Sequence, residues 1–251
     1  MISAERILLP IITLLILLSS WHMLAISGVY TEYQFPGPLA VFQALAEMVR
    51  DGTLWEHINI SLYRFGIAFA LAIIIGISLG LITGWKTRLN YALDPFIQIL
   101  RPISPIAWFP LAVLWFEIGN PPAIFIIFIS AFFPILLTTI TAVKGVDRVF
   151  LQVARNFGTS GYAILRKVIV PAAFPNIMTG LHIALGTAWI HLVAGEMLGA
   201  QSGLGFMIID ARNFLRTDQI IGGMLVIGLI GLILDKLMGW IESKIKLKWG
   251  Y

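Results

Sequence analysis

The sequence predicts an all-α, polytopic membrane protein of about six transmembrane helices, and three observations lead there. Hydrophobic residues make up 59% of the 251 positions and charged residues only 12%, against roughly 25% charged in an average soluble domain. Mean hydropathy is +0.90. The apolar residues also gather into runs that approach or exceed the roughly 20 residues a helix needs to cross a bilayer.

The first run lies near residues 7–27, and no Ala-x-Ala site follows it, so a retained span is expected rather than a cleaved leader. Residues 28–59 carry the turn Phe35-Pro36-Gly37-Pro38 and an amphipathic stretch to Arg50, expected at the outer interface. The second run, near 60–84, places Gly76, Gly80 and Gly84 four apart, a small-residue ridge suited to close helix contact. The third, near 103–118, is short and holds Pro102 and Pro110 about Pro105, so a broken or tilted crossing is expected and five spans is the alternative count. Asn120-Pro121-Pro122 turns into the fourth, near 121–143; the fifth lies near 176–198 and the sixth near 219–240. Residues 1–251 are expected to form a single transmembrane domain. With the N-terminus cytoplasmic, 13 of the 17 Lys and Arg fall inside, and only Arg50, Arg64, Arg212 and Arg216 outside.

The polar stretch 144–171 is the long basic interruption of the second half. In residues 146–158 the apolar positions 146, 149, 150, 153, 154 and 157 share one helical face, and Arg148, Gln152 and Arg155 the other. Gly158 suits a helix C-terminus, Thr159 and Ser160 a second helix start, and Pro171 its stop. Two short cytoplasmic helices are expected, with little reason to stay ordered unless something docks on them.

These residues also carry a resemblance. Gln152-Val153-Ala154, Gly158 and, after nine residues, Val168-Ile169-Val170-Pro171 resemble the EAA loop of ABC-importer permeases, with Gln152 in place of the Glu and Val153 in place of the first Ala. Arg101-Pro102-Ile103-Ser104-Pro105-Ile106-Ala107-Trp108 and Ser202-Gly203-Leu204-Gly205-Phe206 resemble segments of the nitrate/sulfonate/taurine/bicarbonate permease branch. The resemblance runs from about Phe35 onward. It implies a type I ABC-importer permease fold in the cytoplasmic membrane of a prokaryote, working as a homodimer with cytoplasmic ATPase subunits and a substrate-binding protein, and moving a small anion inward by alternating access. ATP and Mg would sit on the ATPase, and no cofactor on this chain. The docking contact would bury Val153, Ala154, Phe157 and Gly158, with Arg148, Gln152 and Arg155 on its polar side and Pro171 closing the segment. The resemblance also implies that Ser202-Gly203-Leu204-Gly205 lies near the outer gate; by composition it reads as a flexible reversal.

For a pathway, His182, Gly186, Trp189, Val193 and Glu196 share one face of the fifth span, a poor surface for lipid. Glu196 pairs with an arginine such as Arg64 or Arg101 in one reading and reaches water at the span end in another. Arg101 and Ser104 mark a cavity-lining helix end or, for Arg101, a positive-inside anchor. His191 points away from the stripe and reads as a hydrogen-bonded packing residue. No Gly-Lys-Ser/Thr phosphate loop is present and the four histidines do not show metal spacing, so neither intrinsic ATP binding nor a metal site is expected. Nor is a nucleic-acid partner. A stand-alone channel or secondary transporter, and a membrane-embedded enzyme, are the competing classes; the first leaves the polar helix segment without a purpose, and the second lacks a convergent nucleophile.

Overall fold

The computed structural model describes residues 5–249; the ends of the expected 1–251 domain, and the side chains of Ile7, Lys248 and Trp249, lie outside the described residues. Regular structure among them is helical throughout. Helix α1 is Glu5–Ile26, α2 Pro38–Arg50, α3 Thr53–Trp85 and α4 Thr87–Leu100. A 3-10 turn at Pro105–Trp108 leads into α5, Phe109–Phe116, and then α6, Asn120–Lys144. Helix α7 is Arg148–Asn156. A short α8 (Tyr162–Ile164), a π turn (Leu165–Ile169) and α9 (Val170–Gly199) follow without a break, then α10 (Leu204–Asn213) and α11 (Thr217–Trp249).

Five of these stretches are long and apolar enough to span a membrane, and a sixth is made if α4 and the 3-10/α5 piece, bent by 87°, count as one. Packing settles that choice. The glycine ridge of α3 lies against α6, where an added Cβ at Gly76, Gly80 or Gly84 would meet Ile135, Thr139 or Val143 at 2.9, 2.5 and 2.7 Å. Residue numbers rise together along both helices, so α3 and α6 run parallel. A parallel pair needs the chain between them to return the length of the bundle. The bent α4–α5 segment makes that return, and the expected third span is indeed broken.

The small-residue ridge acts as expected: without Cβ atoms the two backbones approach closely, and close approach maximises dispersion contact where lipid offers no hydrophobic gain. Helix α9 packs antiparallel on α6, with Gly195 beside Ala123 and Ile126 and Gly180 against Thr138. Helix α11 returns along α9, Gly231 lying by Trp189 and Gly239 by His182. The core therefore sits among α3, α6 and α9, with Ala68, Ala72, Ile127, Ala131, Ala184, Ala188 and Leu192 enclosed. Helix α2 buries Val41, Ala44 and Met48. Helix α1 stays largely uncovered, tied by Trp21 Nε1 donating to Pro36 O at 3.0 Å.

Five expectations are corrected. The third span, taken as the bent pair, starts with α4 at Thr87 rather than near 103. The second span starts at Thr53 rather than near 60, and the fifth at Tyr162 rather than near 176. The second short helix is not separate: it is the entry to the fifth span, begun at Gly161 with no capping contact from Thr159 or Ser160. Pro171 accordingly does not stop a helix. A proline ring clashes with the carbonyl four residues back, here that of Lys167, and the widened π turn immediately before Pro171 makes room for it. The resulting stretch of 38 residues is about 57 Å long at 1.5 Å per residue, well beyond the roughly 30 Å hydrocarbon layer. One end of it must project.

Candidate functional site

Helix α7 sits at that projecting end. Asp147 caps it, its Oδ1 accepting from Val149 N at 2.9 Å. Its other end is a left-handed Gly158, φ 77°, with Gly158 N donating to Arg155 O and Thr159 N to Ala154 O, both at 2.9 Å. That double bond pattern satisfies the last carbonyls and needs a residue tolerant of positive φ. Gly158 thus does what its place in the sequence suggests. Leu151 anchors the helix, packing with Val146, Leu165 and Val168 on Val143, Ile164 and Ile169.

The remaining apolar side chains of α7 are uncovered. Val149, Phe150 and Val153 are 57%, 58% and 47% exposed and Phe157, just beyond the helix, 86%. Ala154 is half-buried, and Arg148, Gln152, Arg155 and Gly158 are exposed. A nine-residue helix with aromatic and branched side chains turned to water is an incomplete surface rather than a finished one. Nothing within 4 Å would obstruct a Cβ at Gly158, so its constraint is backbone conformation, not crowding.

About seven turns of helix farther along α9, the chemistry reverses. Glu196 and Arg64 are 1% and 2% exposed and paired at 2.7 Å. Ser61 Oγ donates to the same carboxylate at 2.9 Å, as does Gly205 N. Arg64 also donates to Asn120 Oδ1 at 2.9 Å, Ser202 O at 2.7 Å and Ser202 Oγ at 3.0 Å. Leu204 N donates to Ser61 Oγ at 2.8 Å, and Gly203 N to His57 Nδ1 at 3.1 Å. The segment 202–205 is therefore pinned, not flexible. Gly203 has φ 105°, and a Cβ there would overlap the Glu196 carboxylate.

The partner of Glu196 is Arg64, not Arg101, and the carboxylate does not reach water. The stripe proposed for a pathway is divided by the fold. Trp189 is buried, donating Nε1 to Ile227 O at 3.0 Å and meeting Phe65 edge-on at 5.4 Å. His182 lies within 3.3 Å of Asp235 and 3.0 Å of Glu242, both on α11. Trp189 and Glu196 face neighbouring helices of the same chain, so they and His182 do not converge with Arg101 and Ser104, which lie on the exposed α4–α5 connection.

The other side of α9 is hollow. A cleft of about 390 Å³ between that connection, α6 and α9 is bordered by Arg101, Ser130, Thr138, Thr187 and His191 among apolar neighbours. It adjoins a second, about 710 Å³, that shares Arg101 and Thr138 and extends to Lys144. His191 is hydrogen-bonded to Thr187 O at 2.7 Å, as a packing residue would be, yet it borders the smaller cleft. Sequence reasoning missed Ser61, Asn120 and Ser202 around Arg64, and Ser130, Thr138 and Thr187 around the cleft. An arginine inside an apolar run signals that partners exist; single hydroxyls spread over two apolar helices give no comparable signal. Among the described residues no cluster of three or more His, Asp or Glu could hold a metal ion.

Comparison with known proteins agrees with this architecture. Residues 72–247 match the family described as binding-protein-dependent transport system inner membrane component. The taurine transport system permease protein TauC of Escherichia coli is 36% identical over 237 residues, covering 92% of this chain and 86% of that one. The bicarbonate transport system permease protein CmpB of Synechococcus elongatus is 38% identical over 253 residues, covering 95% and 89%. A solved inward-facing structure of the MetNI methionine ABC transporter superposes with a TM-score of 0.63 at 20% identity, over 78% of this chain and 96% of that one, which speaks to the fold. The chain belongs to the binding-protein-dependent transport inner-membrane component family, in its nitrate/sulfonate/taurine/bicarbonate permease branch.

Proposed function

We propose that this chain is the translocation subunit of an ATP-driven importer for a small anion of the nitrate, bicarbonate, taurine or sulfonate kind. The single observation that carries the reading is the uncovered apolar face of α7 at the projecting, lysine- and arginine-rich end of the bundle. By the positive-inside rule that end faces the cytoplasm, which puts the N-terminus inside a prokaryotic inner membrane. There α7 meets a cytoplasmic ABC ATPase. Val153, Ala154, Phe157 and Gly158 enter its groove, and Arg148, Gln152 and Arg155 border it. Pro171 acts beyond the contact, at the π turn that joins α7's base to α9.

Two copies of the chain and two ATPase subunits form the core, and a substrate-binding protein delivers cargo at the end where Arg64 and Glu196 pin the 202–205 segment. ATP and Mg belong to the ATPase; this chain binds neither and catalyses no reaction. Nucleotide can shift the permease between inward- and outward-open states only if the ATPase holds α7 differently in the two. The rigid continuation from Tyr162 into α9 carries that displacement into the spans by alternating access. Arg101 and Ser104 lie along the route of the solute, while His182, Trp189 and Glu196 brace the helices that move.

Uptake into proteoliposomes tests the reading. With ATPase and binding protein present, accumulation of labelled nitrate, bicarbonate or taurine should require ATP and be lost without the ATPase. Equal flux through the permease alone would overturn the importer reading in favour of a channel or secondary carrier.

A further inference from the structure

We propose that the smaller cleft between the α4–α5 connection, α6 and α9 is the anion-contacting station of the pathway, with Arg101 as its specificity-determining residue. This rests on the importer reading and names the part of the chain that would select the charge of the cargo. Four features of the cleft support it.

First, its size of about 390 Å³ falls within the roughly 300–1,000 Å³ of small-molecule sites. Second, its border holds one guanidinium and one imidazole and no carboxylate. The acidic neighbour, Asp94, borders only the larger cleft. Third, the Arg101 guanidinium has no hydrogen-bond or ion-pair partner among the described residues, whereas that of Arg64 makes four hydrogen bonds. A planar, permanently charged group with unspent donors suits a planar or tetrahedral oxyanion, which it can hold through two parallel bonds.

Fourth, the imidazole is oriented. The carbonyl of Thr187 can only accept, so His191 Nδ1, 2.7 Å away, carries the proton. Nε2 of that ring carries the lone pair, so it can accept from an O–H or N–H of a cargo molecule but does not donate to an oxyanion. The hydroxyls are committed elsewhere: Ser130 donates to Ile127 O, Thr138 to Pro134 O and Thr187 to Ala184 O. Charge recognition therefore falls to Arg101, with the neutral imidazole, hydroxyl oxygens and apolar groups as the wall around it. The adjoining larger cleft continues past Thr141 to Lys144, so an anion released from the station would meet a second positive charge on its way to the α7 end.

The chain contains no cysteine, which makes a direct test clean. Thr187→Cys, in the full chain held in uncharged phosphatidylcholine nanodiscs, is reacted with an anionic sulfonate thiosulfonate reagent and with its trimethylammonium counterpart. Relative to a small free thiol, the anionic reagent should be favoured. Arg101→Gln should lower the anionic-to-cationic rate ratio on the order of ten-fold, as expected for a unit charge a few ångströms away in a partly solvated site, and Arg101→Lys should retain it. An unreactive thiol, a preference for the cation, or a ratio indifferent to Arg101 would each overturn the proposal. None of these outcomes requires the ATPase, so they separate failure of the cleft from failure of the importer reading. In an assembled transporter that passes the uptake test, Arg101→Gln should raise KM for the anion about ten-fold or more while ATP hydrolysis continues. An unchanged KM would sink the assignment.

Discussion

The two ends of this molecule handle exposed and buried surface in opposite ways. At the end where α3 begins and α9 finishes, a guanidinium and a carboxylate are almost wholly removed from water, and hydroxyls, an amide side chain and backbone groups from 202–205 surround them. At the other end, α7 leaves two phenylalanines and two valines in solvent, held on by one leucine. A satisfied polar network inside and an unsatisfied apolar face outside are both out of place by the ordinary rules of burial. The first is complete within one chain and belongs to stability. The second has no cover among the described residues, and under the proposed function it belongs to a partner contact and to coupling.

The distinction breaks if both ends respond alike to mutation. Glu196→Ala leaves Arg64 buried without its counter-charge and should cost about 3–5 kcal/mol, seen as a large fall in melting temperature in detergent. Phe157→Ala, at the other end, should change stability by no more than about 0.5 kcal/mol. Similar losses at both sites would erase the contrast. A smaller but related effect is expected at Gly203. A side chain there must adopt positive φ and displace the Glu196 carboxylate, so Gly203→Leu should destabilise by about 1–3 kcal/mol and free the 202–205 amides to exchange with deuterium. Asp147→Ala should be milder and local. Losing the cap costs about 1 kcal/mol, and exchange should quicken in residues 148–156 while α9 stays protected. Faster exchange along α9 as well would mean that α7 is part of the cooperative core after all.

Much of this was legible in the chain, and the rest was hidden for physical reasons. The spans show because lipid demands long apolar runs, and the α3 glycine ridge shows because close helix packing demands missing side chains at every fourth position. The left-handed Gly158 shows because few other residues end a helix that way. The continuous entry into α9 was hidden because a proline ordinarily marks a stop, and only the π turn at Leu165–Ile169 lets Pro171 ride within the helix. The α9 stripe misled for a different reason. Helical periodicity tells which residues share a face, but not whether that face meets water, lipid or another helix. Trp189 and Glu196 meet other helices. Thr187 and His191, on the side that looked like packing, border the cleft. Arg64 and Arg101 were equal candidates for Glu196 in sequence; only the parallel run of α3 and α6 brings Arg64 beside Asn120 and within reach of it.

The most direct test of the central claim, that α7 is an ATPase-docking element completed by its partner, is co-purification of the full chain with its cognate ABC ATPase subunit in detergent. Wild type should form a stable complex. Gly158→Trp, which strains the left-handed end of α7 and adds bulk beside Phe157, should lose it while the permease still elutes as a folded species. Retention of the complex by Gly158→Trp, or a wild-type permease that purifies alone and moves solute without ATP, would contradict the account.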